Sequence, residues 1–335
     1  MKKNTLEHLS EKTGLSKSTI SRVLNGKGKE FRINTETQQQ VISIAKKMNY
    51  KVKAVDELLH KKNTYTIGLA VPYLSNSFFA SLASTITIEA KKYDITVMLY
   101  DTQEDAELEK KVVKTMLQNN VDGILIVPCG ESPKYLERAA KKTHIILIDR
   151  YFENSTLPYV TTNNFNGAYD AMQLLLESGH RNILCIQGPK ISITSKERIR
   201  GCKKAVEDFG NDVQLRICGN NFSIQNGYTE MNLALNMNNR PTAVFALSNT
   251  ILLGVLQAIH EQSLKIPEDI SLISYDDNLY LDYLIPPITR IAQPITSIGI
   301  AAVKLFMKCV NENKTIQSNL MMSATIIKRN SIMRV

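Results

Sequence analysis

The sequence predicts an all-α three-helix headpiece of the helix–turn–helix type, joined to an α/β body of two parallel-sheet lobes. Three observations predict it. Residues 6–24 hold two short apolar helical patterns broken at Thr13-Gly14. Positive charge is concentrated at the front: residues 1–65 carry 14 Lys and Arg against 6 Asp and Glu, whereas the remaining residues carry 27 against 26. From Tyr65 onward, short β-rich runs recur every ~20–30 residues with helical patterns between them, the texture of βαβ units.

In the headpiece, Leu6 and Leu9 share one face of a first helix, and Gly14 permits a tight turn. Ser16 is placed to cap a second helix, its hydroxyl accepting from a first-turn N–H. Ile20, Val23 and Leu24 fall at i, i+3 and i+4 and face inward. Lys17, Ser18, Ser21 and Arg22 are left on the open face. Short hydroxyls and long cations on one face suit a major groove: hydroxyls and cations bond phosphates, and longer side chains reach base edges. The bland alternative is an amphipathic hairpin with a solvated polar face; a local charge of +8 disfavours it. The loop at 25–33 adds Lys27, Lys29 and Arg32. Thr35 and Gln38 have the spacing of a capping box for a third helix, with Val41, Ala45 and Met48 on one face and Tyr50 at its end. Residues 51–64 bridge to the body, with Leu58 and Leu59 as large apolar residues beside Val52 and Val55.

The body is expected to place strands at 66–71, 95–100, 123–127, 145–149, 183–187, 213–217, 243–247 and 270–275. Helices are expected at 78–93, 104–119, 165–178, 196–209 and 252–262. So many strands suit two sheets better than one, with a first crossing between lobes near 163–166 and a return near 290–294. Open α/β sheets bind ligands at the carboxyl ends of their strands. Those ends carry Pro72 to Phe79, Asp149-Arg150, the Gly188-Pro189 loop leading to Glu197-Arg198, Ser248-Asn249, Tyr275-Asp276-Asp277 and Gln293. Asp, Asn, Arg and Gln beside Phe suit a polyhydroxy ligand, because bidentate polar groups bond hydroxyl pairs and aromatic faces cover C–H. Loop capping is the plain alternative for any one of them; their coincidence at so many strand ends favours a site. A purine or other heterocycle is an alternative ligand, since Phe78 and Phe79 suit stacking on a base.

Enzyme chemistry is not found. No G-x-G-x-x-G follows a strand, and no Walker A, H-E-x-x-H or G-x-S-x-G occurs. The five histidines lack metal-ligand spacing. Asp276-Asp277 are adjacent on a strand end and should point apart. No catalytic residue, metal or cofactor is expected. The five cysteines are widely spaced without C-x-x-C and read as reduced thiols. The longest apolar runs, at 124–128 and 145–148, are far below the ~20 residues of a membrane span. Met-Lys-Lys at the start has no apolar run behind it, so the expected location is cytoplasmic, with no membrane partner.

The chain resembles the LacI/GalR family of transcription regulators from end to end. Ser16-Lys-Ser-Thr-Ile-Ser-Arg-Val-Leu-Asn-Gly26 resembles the family's turn and recognition helix. Thr66-Ile-Gly-Leu-Ala-Val-Pro72 with Asn76 and Phe78-Phe79 resembles the opening of its sensor. Val121-Asp-Gly-Ile-Leu-Ile, Gly179-His-Arg-Asn-Ile, Arg198-Ile-Arg-Gly, Tyr275-Asp-Asp and Gln293-Pro294 follow in order. The resemblance implies a two-lobed, periplasmic-binding-protein-like (type I) sensor and a homodimer on a pseudo-palindromic double-stranded DNA operator. By position, Lys17, Ser18 and Arg22 are implied to read bases, and Thr5, Ser16, Thr19, Ser21 and Asn25 to hold phosphates. Leu59 is implied to enter the minor groove. Asn76, Phe78, Phe79, Asp149, Arg150, Arg198, Phe222, Ser248, Asp276 and Gln293 are implied to line the effector cleft, and a sugar is the expected effector.

The implied domains are a DNA-binding headpiece at 1–50, a hinge at 51–64 and an effector-binding domain at 65–335. Its first lobe spans about 65–162 and 292–320, its second about 163–291 and 321–335. Two departures stand out. Asp56-Glu57 replace the family's Ala-Arg beside the hinge leucine, and carboxylates near phosphates repel. Ser248-Asn249 stand where the family usually has Asn-Asp. The chain's end shows no heptads, so a dimer is expected rather than a tetramer. A sugar-binding module without a DNA role is the alternative; the basic headpiece opposes it.

Overall fold

A computed structural model describes residues 6–48, 50, 64–210, 212–312 and 314–335. The chain divides into two compact units, 1–64 and 65–335.

The first unit is three helices: α1 (Leu6–Thr13), α2 (Lys17–Leu24) and α3 (Thr35–Lys47). Gly14, at φ +69°, takes the left-handed conformation that ends α1 and donates back to Ser10 O. Ser16 caps α2, accepting from Thr19 N at 3.2 Å. Leu9, Ile20, Val23, Leu24, Val41 and Ala45 form the buried core, with Leu6 and Met48 against it. One expected detail is corrected. Asn34, not Thr35, caps α3, accepting from Thr37 N at 2.7 Å, and Gln38 Nε2 instead donates to Ile33 O at 2.6 Å. A short amide side chain one residue earlier reaches the first-turn N–H, so the capping-box spacing is not used. The helix closes at Lys47 with Met48 as its cap, before Tyr50.

The second unit carries two six-stranded sheets. The first holds β1 (Thr66–Val71), β2 (Thr96–Asp101), β3 (Gly123–Ile126), β4 (His144–Ile148), β5 (Tyr159–Thr162) and β11 (Asn319–Met322), in the order β11-β5-β4-β3-β1-β2. The second holds β6 (Asn182–Ile186), β7 (Gln214–Cys218), β8 (Ala243–Ala246), β9 (Ser271–Tyr275), β10 (Thr289–Ala292) and β12 (Thr325–Ile327), in the order β12-β10-β9-β8-β6-β7. All pairs are parallel except β10 with β12. Both sheets therefore repeat one winding, with the order reversing beside the first strand of each.

Helices cover both faces, which is why the inner strands read as continuous Val, Ile and Leu. Around the first sheet lie α4 (Ser77–Lys91), α5 (Ala106–Gln118), α6 (Lys134–Ala139) and α11 (Ile295–Glu312). Around the second lie α7 (Asn164–Glu177), α8 (Ile193–Phe209), α9 (Ile224–Leu235) and α10 (Asn249–Glu261). Leu82, Ile86, Val303 and Phe306 fill one side of the first sheet, and Val112, Met116 and Leu136 the other. Leu235, Leu252 and Val255 back the second sheet on one side, and Met172, Leu175 and Cys202 on the other. Helices α8 and α10 start three residues earlier than expected, at Ile193 and Asn249, because their first turns are polar and break the apolar period. Helices α6, α9 and α11, which the strand–helix pattern did not single out, complete the layers.

The backbone crosses between lobes after β5, after β10 and after β11. The crossings are tied together: Asn163 N donates to Met322 O at 2.7 Å, and Thr162 Oγ1 donates to Gln293 Oε1 at 2.6 Å. All five cysteines are free thiols. Among the described residues no helix is long and apolar enough to cross a membrane, and no His, Cys, Asp or Glu group is placed to hold a metal.

Candidate functional site

In the headpiece, the residues expected to meet DNA gather at and along α2. Ser16 Oγ lies 2.9 Å from Ser18 Oγ and 2.8 Å from Thr19 Oγ1, a hydroxyl cluster at a helix N-terminus, where the dipole favours an anion. Lys17 pairs with Glu7 on α1 at 2.6 Å; both are exposed, and the lysine holds the Glu7 carboxyl below its usual range. Such an exposed pair is solvent-screened and adds little to stability. Arg22 stacks its guanidinium 4.0 Å over the Phe31 ring. Asn25 Nδ2 donates to Ser21 O at 2.8 Å, closing the helix at its C-cap. Glu7 and Phe31 were not foreseen; the one aromatic in a Gly- and Lys-rich loop was the available signal for Phe31. Thr5, Asp56, Glu57 and Leu59 lie outside the described residues.

In the body, the carboxyl ends of both sheets converge on one cavity of about 40 Å³. All ten residues expected in the cleft line it: Asn76, Phe78, Phe79, Asp149 and Arg150 from the first lobe, Arg198, Phe222, Ser248 and Asp276 from the second, and Gln293 from a crossing. Tyr73, Glu104 and Thr194 line it as well. Tyr73 sits inside a stretch the sequence had marked. Thr194 was hidden by the late expected start of α8. Glu104 lies in an acidic loop that reads as solvated surface.

Each side chain is held by the fold. Phe78 and Phe79 open α4 and meet edge to face at 5.1 Å, presenting one ring edge and one ring face. Asn76 caps that helix, accepting from Phe78 N at 3.0 Å. Asp149 and Asp276 end the equivalent strands β4 and β9, both in left-handed backbone at φ +63° and +77°. For non-glycine residues that conformation costs of order 1–3 kcal/mol and clusters at functional sites. Asp276 is fully engaged, with Oδ1 accepting from Gln293 Nε2 at 2.6 Å and Oδ2 from Asn249 N at 3.1 Å. A hydrogen-bonded chain thus runs from the lobe crossing at Thr162 through Gln293 to Asp276. Asp277, its neighbour, points away to pair with Arg290 at 2.6 Å, as adjacent strand-end residues should.

Arg198 donates to Asn164 Oδ1 at 2.8 Å and Leu247 O at 2.7 Å and lies 3.6 Å over Tyr275. Ser248 Oγ caps α10, accepting from Ile251 N at 3.2 Å. Arg150 gives both terminal nitrogens to Glu104 and one of them also to Pro128 O. Its Nε lies 4.0 Å from Asp149 Oδ2, an ion-pair contact, but neither that Nε nor Asp149 Oδ1 makes a hydrogen bond, although both atoms are buried. Burial raises the Asp149 carboxyl to about 6, against the lowering pull of Arg150 and Arg198. Asp149 Oδ1 and Arg150 Nε thus each keep one hydrogen-bonding position unfilled by the protein.

Comparison with known proteins agrees with this geometry. Residues 5–52 match the family model described as bacterial regulatory proteins, lacI family. Residues 64–330 match the model for periplasmic binding proteins and the sugar binding domain of the LacI family. The ribose operon repressor of Haemophilus influenzae is 30% identical over 330 residues, 98% of each chain. The transcriptional regulator DegA of Bacillus subtilis is 31% identical over 302 residues, 89% of this chain and 88% of its own. A LacI family transcriptional regulator from Enterococcus faecium, solved with bound ribose, superposes with a TM-score of 0.72 at 28% identity, over 81% of this chain and 99% of that one. The lac repressor dimer bound to operator and the anti-inducer ONPF shares the fold over 99% of this chain and all of its own, with a TM-score of 0.73 at 22% identity. The chain belongs to the LacI family: it is a DNA-binding transcription regulator, not an enzyme.

Proposed function

We propose that this chain is a cytoplasmic repressor whose hold on operator DNA is set by a sugar bound between the lobes of residues 65–335. The observation that carries the reading is the convergence of Asp149, Arg150, Arg198, Asp276 and Gln293 with Phe78, Phe79 and Phe222 on one cavity. The polar side chains suit the hydroxyls of a sugar, and the rings cover its C–H face. The ribose-bound relative and the relatives named as ribose operon repressors support a sugar.

The headpiece of residues 1–50 presents α2 to a major groove. Lys17, Ser18 and Arg22 reach base edges; Thr5, Ser16, Thr19, Ser21 and Asn25 hold phosphates; and the hinge at 51–64 brings Leu59 to the minor groove. The working form is a homodimer on a pseudo-palindromic site, as the lac repressor dimer is on its operator. Leu279, Tyr283 and Ile285, exposed at 84%, 84% and 101% within one short stretch of chain, offer apolar surface to a second copy. Sugar in the cavity biases lobe closure, and closure sets the spacing of the paired headpieces. The ligand shifts that equilibrium by its differential affinity for the two forms.

Calorimetric titration with neutral sugars and, separately, with purine nucleobases tests the ligand class. Heat with a sugar that disappears in Asp276→Ala supports the reading; binding of a nucleobase instead of any sugar overturns it.

A further inference from the structure

Glu104 and Arg150 line both the effector cavity and a second, larger cavity beside it. That second cavity, of about 280 Å³, continues along Glu131, Glu153 and Lys196. Glu104 takes both terminal nitrogens of Arg150, the planar fork that otherwise grips phosphates and carboxylates bidentately. Arg150 is 6% exposed, so this pairing decides what its charge can do. The backbone places Glu104 there at a cost: Gln103 and Glu104 are consecutive non-glycine residues in left-handed backbone, at φ +52° and +57°. Asp101 pins that turn, accepting from Gln103 N at 2.9 Å and from Leu74 N at 3.0 Å. The effector cavity is lined by three acidic side chains and two basic ones, and the second cavity adds two acids and one base.

We propose that Glu104 is a specificity-determining residue that, by occupying the Arg150 fork, restricts the effector to uncharged polyols and rejects phosphorylated or carboxylated sugars. The proposal rests on the cavity being the effector site, as set out above. An anionic group beside Arg150 meets a filled fork and a net negative lining, whereas a neutral hydroxyl meets no such repulsion. The loop after β2 is thereby the element that separates responders to free sugars from responders to their phosphate esters.

The test titrates inorganic phosphate, D-ribose and D-ribose 5-phosphate into the full-length chain, into Glu104→Gln and into the double variant Glu104→Gln/Arg150→Gln. Phosphate taken up by the headpiece is common to all three chains and subtracts. Glu104→Gln is expected to bind phosphate at least tenfold tighter than the unaltered chain, and the double variant to lose that gain. Glu104→Asp, which keeps the charge, is expected to keep the rejection. Equal phosphate binding with and without the Glu104 carboxylate overturns the proposal. So does an unaltered chain that binds ribose 5-phosphate as tightly as ribose or better, a comparison that needs no variant to fold. A phosphate gain in Glu104→Gln without heat from any neutral sugar supports the filter while removing the sugar reading.

Discussion

Asn249 Nδ2 donates to Ser77 Oγ at 2.9 Å, joining the first turn of α10 in one lobe to the first turn of α4 in the other. The same amide also reaches Asn76 Oδ1 at 3.3 Å, and Asn76 Nδ2 reaches Thr250 Oγ1 at 3.3 Å. Two helix N-termini, each a positive dipole end, thus face one another across the cleft with neutral amides bridging them. Asn249 does not line the cavity, so its bonds report on closure rather than on ligand contact. Neutral hydrogen bonds contribute about 0.5–1.5 kcal/mol each. Asn249→Ala is therefore expected to weaken sugar binding about tenfold, measured by calorimetry, with no protein–ligand bond removed. Unchanged affinity would show that the bonds across the cleft do not bias closure.

Acid should weaken sugar binding. Burial holds the Asp149 carboxyl up at about 6, from an ordinary value of 3.8. A raised carboxyl favours the protonated native state, so its contribution to folding stability is greatest below about pH 4, falls as pH rises toward 6 and is constant above. A sugar hydroxyl donating to Asp149 favours the ionised form. Binding then releases a proton near pH 6, and affinity falls as pH drops through that value. Titrations in buffers of different ionisation enthalpy measure the proton released; none near pH 6 would remove Asp149 from the contact.

Asp276 and Arg198 should separate by phenotype. Asp276→Ala removes the acceptor for Gln293 and should abolish the sugar response while the headpiece still binds DNA. Arg198 also has a structural task, bonding Leu247 O and Asn164 beneath Tyr275. Arg198→Ala is expected to lose the response and also about 2–4 kcal/mol of stability in urea melts, since it leaves a buried carbonyl unpaired and a void. Equal stability of the two variants would contradict this division.

In the headpiece, Arg22→Ala should cost about 1–3 kcal/mol of operator affinity with relaxed base preference, the loss of one base contact. Ser16→Ala should weaken binding to all sequences alike and also loosen α2 by about 1 kcal/mol, because the same hydroxyl caps the helix. Gel shifts on a set of mutated operators distinguish the two patterns.

Much of the fold was legible because it rests on local periodicity. Buried strands read as Val and Ile runs, and the strand-end rule led to Asp149, Ser248, Asp276 and Gln293 without any tertiary information. What escaped depends on choices that periodicity does not encode. Asn34 and Thr35 are both capable caps, and the backbone angle at entry picks Asn34. Glu104 was hidden because an Asp-Thr-Gln-Glu-Asp stretch looks like solvent-facing loop until a left-handed pair of residues turns its carboxylate onto Arg150. The Asn249–Ser77 bond joins residues 172 positions apart and has no local signature.

The most direct measurement is the affinity of the full-length chain for a labelled duplex of its own promoter region, read by fluorescence anisotropy with and without neutral sugars. At least one sugar should change that affinity fivefold or more, and Asp276→Ala should erase the change while leaving sugar-free DNA binding intact. DNA affinity indifferent to every sugar that binds the cavity, or a sugar effect that survives in Asp276→Ala, would contradict a regulator governed from between its lobes.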